Sequence, residues 1–277
     1  MLMEGPIGIF DSGYGGLTVL EDIQKRLPQY DYLYLGDNAR APYGTRSFEV
    51  IYEYTLQAVE ELFDRGCHLV ILACNTASAK ALRTIQQNDL KGFAPGKKVL
   101  GVIRPSTELI GSYSRSKELG ILATEGTVIS NSYVIELQKF FPDCKVHQQA
   151  CPIWVPLIEN NEHGTNEGKA FIRQDIERLL RKSPNIDTIL LGCTHYPLIK
   201  EEIEKIVPAS IKVIAQGQIV AESLQNYLDR HPEIETKCSR EGKLSFFTSE
   251  NTLLFDNNAA RFTSFDIRST HIDLSKR

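Results

Sequence analysis

The sequence predicts an α/β protein of two similar lobes, each a mostly parallel sheet with helices on both faces, related by pseudo-two-fold symmetry. Three observations predict this fold class. Short strand-like runs alternate with helical patterns, several of these runs are apolar throughout, and part of the chain repeats. Such alternation is typical of βαβ units and therefore of parallel sheets.

The predicted strands are short and rich in β-branched and aromatic residues. They read PIGIF, YLYLG, HLVILA, KVLGVI, ELGILA, KVHQQ, DTILLG, IKVIA and LSFFT. The runs HLVILA and DTILLG are apolar throughout instead of alternating, which indicates burial on both faces of a sheet covered by helices.

Three longer segments have apolar residues at helical spacing, and we expect helices there. They cover residues 47–66, 165–182 and 217–231. The first ends at Gly66, a residue type that commonly follows the last turn of a helix.

An internal repeat predicts the two lobes. IGIFDSGYGG, from Ile7, resembles LGILATEGTV, from Leu119, and LVILACNTASAK resembles TILLGCTHYPLI. We expect residues 1–100 plus 211–277 to form the first lobe and residues 101–210 the second. Ligands of open parallel sheets bind beyond the carboxyl ends of the strands, so the cleft between the lobes is the predicted site.

The composition argues against several kinds of binding partner and against a membrane location. A net charge of −4 gives no basic surface for a nucleic acid, and the longest apolar runs are strand-length, too short for a bilayer. The stretch MLMEGPIGIF has no basic region, so we predict no signal peptide and a cytoplasmic location. The six cysteines include no CxxC pair, which favours free thiols and no metal site.

Two cysteines, Cys74 and Cys193, each follow a predicted strand in the repeated segments and precede a polar turn. Lobes that face each other would bring these thiols to opposite walls of one cleft. Racemisation needs an acid and a base on opposite faces of a carbon, and a thiol and a thiolate can exchange these roles. The residues after each cysteine predict a helix start, which would help a thiolate form and bind carboxylates.

Other polar residues at strand ends are further candidates. Asp11 and Ser12 precede a glycine turn that matches no phosphate-binding motif, and Tyr43 and Gly44 lie in a loop after the second strand. An N-cap role for Asp11 and a plain loop at Tyr43 are equally compatible with the sequence.

Two more candidates lie near the second thiol. His195 is close to Cys193 in sequence, whereas Glu159 has the pattern of a surface residue. The other four cysteines lack a strand-end context, so we expect core or surface positions for Cys67, Cys144, Cys151 and Cys238.

Seven stretches, taken together and in order, resemble the glutamate racemases of the aspartate/glutamate racemase family. They are GIFDSGYGGLTVL, YLGDNARAPYG, ILACNTASA, GVIRPS, ILATEGTVISNSY, CPIWVPLIE and TILLGCTHYPLI. The resemblance implies interconversion of L- and D-glutamate without a cofactor, supplying D-glutamate for peptidoglycan. It also implies that the chain returns to the first lobe after the second is complete.

The resemblance further implies roles for individual residues. Cys74 and Cys193 match the catalytic thiols, and Asp11, Glu159 and His195 match residues that assist them. The matches to substrate-binding positions are Asp11, Ser12, Tyr43, Gly44, Asn75, Thr76, Thr194 and His195.

Two positions depart from the family pattern. Asn38 stands where a hydroxyl is usual, and Ala215–Gln216 stands where an Asp-Ser pair is usual.

Other functions stay open from the residues alone. Aspartate or a related acid could be the substrate, with the same chemistry. A hydrolase or transferase would use one cysteine as a nucleophile and need no second thiol. A pair of binding lobes would close on a small acid without exchanging a proton. A homodimer is compatible with all of these readings.

Overall fold

The computed structural model describes residues 4–276. Met1–Met3, part of the stretch used to predict the absence of a signal peptide, and Arg277 lie outside the described residues. The described chain contains ten strands: β1 (Ile7–Asp11), β2 (Tyr32–Gly36), β3 (Leu69–Leu72), β4 (Lys98–Gly101), β5 (Glu118–Ala123), β6 (Lys145–Ala150), β7 (Thr188–Gly192), β8 (Lys212–Ile214), β9 (Leu244–Thr248) and β10 (Ser269–His271).

The strands form two sheets, and every pairing between named strands is parallel. Within residues 4–276, the first sheet has the order β10-β9-β2-β1-β3-β4 and the second has the order β6-β5-β7-β8. The inner order β2-β1-β3-β4 equals β6-β5-β7-β8 if β5 corresponds to β1 and β7 to β3. This correspondence agrees with the sequence repeat, which aligns β1 with β5 and the strand before Cys74 with the strand before Cys193.

The helices alternate with the strands as the pattern predicts. Within the described residues they are α1 (Gly16–Arg26), α2 (Phe48–Asp64), α3 (Asn75–Lys80), α4 (Leu82–Thr84), α5 (Leu90–Phe93), α6 (Ile103–Tyr113), α7 (Glu125–Ile129), α8 (Ser132–Phe140), α9 (Trp154–Glu159), α10 (Asn166–Leu180), α11 (Lys200–Ile206), α12 (Gly217–Arg230), α13 (Pro232–Glu235) and α14 (Thr252–Ala259). A π-helical turn lies at Ile85–Asp89, and 3₁₀ turns lie at Asn38–Arg40, Tyr196–Ile199 and Leu274–Lys276. The three predicted helices correspond to α2, α10 and α12 within two residues at each end.

Apolar side chains cover both faces of each sheet. One cluster joins β1 and β3 to α2, and another joins β5 and β7 to α6 and α8. The largest cluster includes residues of α1, α10 and α12 and runs from the first sheet to the second. Helices therefore lie on both sides of the apolar strands, as the uninterrupted runs predict.

The first sheet is built from both ends of the chain, because β9 pairs with β2 and β10 with β9. The boundary predicted at residue 211 is wrong by a few residues. Strand β8 lies after it yet pairs with β7 in the second sheet. We call the first sheet with its covering helices the first lobe, and the second sheet with its helices the second lobe.

Among residues 4–276, no helix combines the length and apolar character needed to cross a membrane.

Candidate active site

A cavity of about 200 Å³ lies between the lobes, at the carboxyl ends of the strands. Its walls come from the segments that follow β1, β2 and β3 in the first lobe and β5, β6 and β7 in the second. Ten of the eleven predicted site residues line it: Ser12, Tyr43, Gly44, Cys74, Asn75, Thr76, Glu159, Cys193, Thr194 and His195.

Cys74 forms one wall at the junction of β3 and α3. It is the N-cap residue of α3, and its Sγ accepts from the backbone N–H of Ala77 at 3.5 Å. Ser12 Oγ lies 3.4 Å from the same sulfur. Burial, together with the nearby charge of Asp11, nevertheless raises the pKa of the Cys74 thiol to about 12. The helix start predicted to help a thiolate form is present, but burial outweighs it.

Cys193 forms the opposite wall, after β7, with a histidine as its neighbour. Its Sγ lies 3.9 Å from His195 Nδ1, and His195 Nε2 lies 2.8 Å from Glu159 Oε1. Burial alone would lower the pKa of His195, but its hydrogen bonds to Cys193 and Glu159 and its electrostatic interactions with these two groups raise it to about 10. The imidazole is therefore a cation at neutral pH, with one N–H facing the sulfur and the other facing Glu159.

Glu159 is thus a partner of the second thiol's histidine and not a plain surface residue. It ends α9, and its side chain is 27% exposed while that of His195 is only 5% exposed. A carboxylate that orients an imidazole beside a thiol is the arrangement used to direct proton transfer in many cysteine sites.

Asp11 is the one predicted site residue beneath the cavity and not on its surface. It is completely buried, and its carboxylate accepts from Gly13 N at 2.9 Å and from Thr194 Oγ1 at 3.3 Å. Burial raises the pKa of Asp11, and the charge of His195 opposes this only in part. Asp11 therefore connects the turn after β1 to the turn after Cys193.

The loop that carries Tyr43 and Gly44 covers the cavity. The Gly44 carbonyl accepts from Gly126 N of the second lobe at 2.8 Å. The Tyr43 hydroxyl donates to the buried Asp37 at 2.5 Å, which fixes the ring against the first lobe. The loop is thus held by both lobes where it lines the cavity.

Sequence reasoning missed Thr124, which lines the cavity after β5. Its Oγ1 lies 2.9 Å from Thr76 Oγ1, so the pair spans the two lobes. The internal repeat could have identified Thr124, because Thr124 follows β5 at the position where Ser12 follows β1. Pro152 and Val155 also line the cavity, but no feature of the sequence distinguished these apolar residues from core positions.

The four other cysteines are buried and free, and none of them lines the cavity. Cys67 and Cys144 pack in the apolar clusters behind the sheets, and Cys151 and Cys238 belong to the largest cluster. The prediction of core or surface positions is confirmed, with all four in the core.

Comparison with known proteins identifies the family. The sequence model of the Asp/Glu/hydantoin racemases matches residues 15–224. The chain belongs to this family. The glutamate racemase of Ruegeria sp. (strain TM1040) is 42% identical over 271 residues, which are 94% of this chain and 97% of the relative.

Solved structures of the family share the fold over the whole chain. Glutamate racemase isoform RacE1 from Bacillus anthracis has a TM-score of 0.88 at 32% identity and covers 98% of both chains. The glutamate racemase from Francisella tularensis, solved in complex with D-glutamate, has a TM-score of 0.87 at 29% identity and covers 99% of both chains.

Asn38 and Gln216, the positions at which the resemblance suggests departures, both lie close to the site. Asn38 stands beside Gly13, and its buried Nδ2 atom has no hydrogen-bond partner among the described residues. Gln216 is 3% exposed, and its side chain accepts from Asn75 Nδ2 at 2.8 Å.

Proposed function

We propose that the protein interconverts L- and D-glutamate without a cofactor, using Cys74 and Cys193 as an alternating acid and base. The observation that carries the proposal is the pair of thiols on opposite walls of one cavity, each at the end of a corresponding strand. Membership of the racemase family and the names of the relatives support glutamate as the substrate.

In one direction the Cys74 thiolate removes the α-proton, and the Cys193 thiol gives a proton to the opposite face of the carbon. The electron pair of the broken C–H bond is held by the adjacent carboxylate until the new C–H bond forms. In the reverse direction Cys193 is the base and Cys74 the acid. Afterwards each thiol has exchanged its protonation state, and proton transfer through solvent resets the site.

The partners of each thiol have different tasks in this mechanism. The imidazolium of His195, oriented by Glu159, donates a hydrogen bond toward Cys193 and is near enough to exchange a proton with it. Asp11 holds Thr194 and the turn after β1 in register, so that Ser12 faces Cys74.

Hydrogen-bond donors for two carboxylates surround the cavity. Ser12, Asn75 and Thr76 contribute side-chain donors, whereas the Thr194 hydroxyl already donates to Asp11. Tyr43 and Gly44 line the cavity from the loop after β2. A cavity of about 200 Å³ suits a small amino acid and excludes most water once it is filled. Exclusion of water strengthens each of these hydrogen bonds.

Aspartate is the alternative substrate, because it differs from glutamate only in the shorter distance between its two carboxylates. The names of the relatives favour glutamate. Initial racemisation rates on L-glutamate, L-aspartate and L-glutamine, followed by polarimetry, decide between them. Faster conversion of aspartate than of glutamate would overturn this part of the proposal.

A role in supplying D-glutamate for peptidoglycan, a cytoplasmic location and a homodimer complete the proposal. The first follows from the reaction product, since D-glutamate must be consumed by a reaction that uses the D-enantiomer. Sedimentation of the purified chain tests the dimer.

The experiment that tests the mechanism is racemisation of L-glutamate in D₂O. With two bases, the first D-glutamate formed carries deuterium at the α-carbon, while the remaining L-glutamate stays unlabelled at early times. Proton NMR and mass spectrometry of the separated enantiomers measure both. Early label in the unreacted L-glutamate, or unlabelled D-glutamate, would point to one base and contradict the proposal.

A further inference from the structure

Behind Cys74, three buried side chains form a closed ring of hydrogen bonds. Asn75 Nδ2 donates to Gln216 Oε1 at 2.8 Å, Gln216 Nε2 donates to Tyr133 Oη at 2.7 Å, and Tyr133 Oη donates to Asn75 Oδ1 at 2.5 Å. The three residues are 2%, 3% and 0% exposed. Asn75 belongs to the first lobe, Tyr133 to the second, and Gln216 precedes α12.

The direction of the ring is fixed by its surroundings. Gln216 Nε2 also lies 2.7 Å from Ser106 Oγ and 3.3 Å from the carbonyl of Val102. A carbonyl only accepts, and Ser106 already donates its proton to that same carbonyl at 2.8 Å. The nitrogen of the Gln216 amide must therefore face this side.

Once Gln216 is oriented, Asn75 has no choice of orientation. Gln216 presents its oxygen to Asn75, so the Asn75 amide must present its nitrogen there and its oxygen to the Tyr133 hydroxyl. Reversal of the Asn75 amide would bring two carbonyl oxygens together on one side. In a buried site such an unsatisfied contact costs more than an ordinary hydrogen bond contributes.

The ring leaves Asn75 one function toward the cavity that it lines. Its carbonyl oxygen and one amide hydrogen are already used by Tyr133 and Gln216. Among the described residues, no second acceptor contacts Nδ2. The side chain therefore has a free N–H donor for the cavity, while its oxygen is held toward Tyr133, and this arrangement suits a carboxylate better than an ammonium group.

We propose that Gln216 and Tyr133 are positioning residues that hold the Asn75 amide as a hydrogen-bond donor to a substrate carboxylate. The inference rests on the proposed function, because it needs a carboxylate in the cavity. The long amide side chain of Gln216 reaches both Asn75 of the first lobe and Tyr133 of the second.

The test uses two variants that break the ring at different points and one matched control. Tyr133→Phe removes the hydroxyl and keeps the aromatic ring, whereas Gln216→Glu keeps an acceptor for Asn75 and removes the amide donors. Thr107→Val is the control, since Thr107 is also fully buried in α6 and its hydroxyl donates to the Arg104 carbonyl, outside the ring.

We expect each ring variant to raise KM for glutamate roughly tenfold and to change kcat less, because a carboxylate is bound in the ground state as well as in the transition state. Thr107→Val should leave KM within about twofold of the unmodified protein. In an Asn75→Ala background, Tyr133→Phe should raise KM no further, because its effect passes through Asn75. Thermal denaturation of every variant identifies loss of folding, and either ring variant alone suffices for the test.

Additive effects of Tyr133→Phe and Asn75→Ala on KM would overturn the proposal, as would an unchanged KM in both folded ring variants. Glutarate, which has both carboxylates and no ammonium group, tests the assignment to a carboxylate. Its inhibition constant should rise by the same factor as KM in Tyr133→Phe. A rise in KM alone, or no inhibition of the unmodified protein, would overturn that assignment. Absence of glutamate racemisation in the unmodified protein would instead contradict the proposed function.

Discussion

The two walls of the cavity are built on the same scaffold and differ in what faces the sulfur. Cys74 and Cys193 each follow a strand next to the first strand of its lobe. A hydroxyl, Ser12 Oγ, lies 3.4 Å from Cys74 Sγ, whereas a buried imidazole paired with Glu159 lies 3.9 Å from Cys193 Sγ. Backbone topology therefore sets where the thiols are, and the neighbouring side chains set the hydrogen bonds and charges that each sulfur meets.

The difference extends to charge. The pKa of the Cys74 thiol is raised to about 12 by burial, which favours its protonated form at neutral pH. Among the described residues that line the cavity, the cationic partner is His195 on the other wall, whose pKa is raised to about 10. Two thiols that are equivalent in the fold are thus inequivalent in their electrostatics.

Removal of either thiol should have the largest effect. We expect Cys74→Ser and Cys193→Ser each to lower kcat by about a thousandfold, because a serine hydroxyl is a far weaker acid than a thiol. Cys144→Ala is the control, since Cys144 lies in the core away from the cavity. Chiral chromatography of the product measures the rates. Retention of more than a tenth of the activity by either serine variant would show that the walls do not act as a pair.

His195→Asn removes the charged partner from one wall only. We expect kcat/KM at pH 7 to fall roughly a hundredfold. The fall must be equal for both enantiomers, because the equilibrium constant of a racemisation is one. In the unmodified protein His195 is a cation below its raised pKa, so kcat/KM should decline as the pH rises through about 10. A variant that keeps this decline would show that another group causes it.

Glu159→Gln tests the same wall indirectly, through the effect of Glu159 on the pKa of His195. The charge and hydrogen bond of Glu159 help to raise the pKa of His195, so their loss should move the decline in kcat/KM to lower pH. At pH 9 we expect an activity about tenfold below that of the unmodified protein, and a smaller difference at pH 6. Rate profiles from pH 6 to 11 measure the shift. Superimposable profiles would argue that Glu159 only packs against the imidazole.

Ser12→Ala changes the wall that carries Cys74 and should have the smallest effect on kcat/KM. The contact between Ser12 Oγ and Cys74 Sγ is long, and Ala77 N also donates to the sulfur. We expect kcat/KM to fall about threefold to tenfold, with no change in the decline near pH 10. A loss as large as that of His195→Asn would mean that the two walls depend equally on their side-chain partners.

Much of the fold was predictable because parallel strands buried on both faces have a strong local pattern. All nine predicted strands occur, and Cys74 and Cys193 follow strands as predicted. Strand β10 was missed because Ser269–His271 is short, polar and partly exposed at the sheet edge. The lobe boundary predicted near residue 211 was wrong because strand pairing, such as that of β7 with β8, depends on the tertiary fold and not on local sequence.

The candidate site was predictable where the residue follows a strand or belongs to a repeated motif. Ser12, Thr194 and both thiols fall in this class. Burial was not predictable: it outweighs the helix start at Cys74 and places Asp11 beneath the cavity. The hydrogen-bonded ring around Asn75 could not be predicted either, because its members come from three segments far apart in sequence.

The matching strand order of the two lobes has a consequence for assembly. Two identical half-length chains with this order could pair as a symmetric dimer and enclose a cavity with a thiol from each subunit. Such a dimer would place the same neighbours beside both thiols, because every mutation would appear on both sides at once. A single chain with both halves escapes that constraint, and here it sets a serine beside one sulfur and a histidine beside the other.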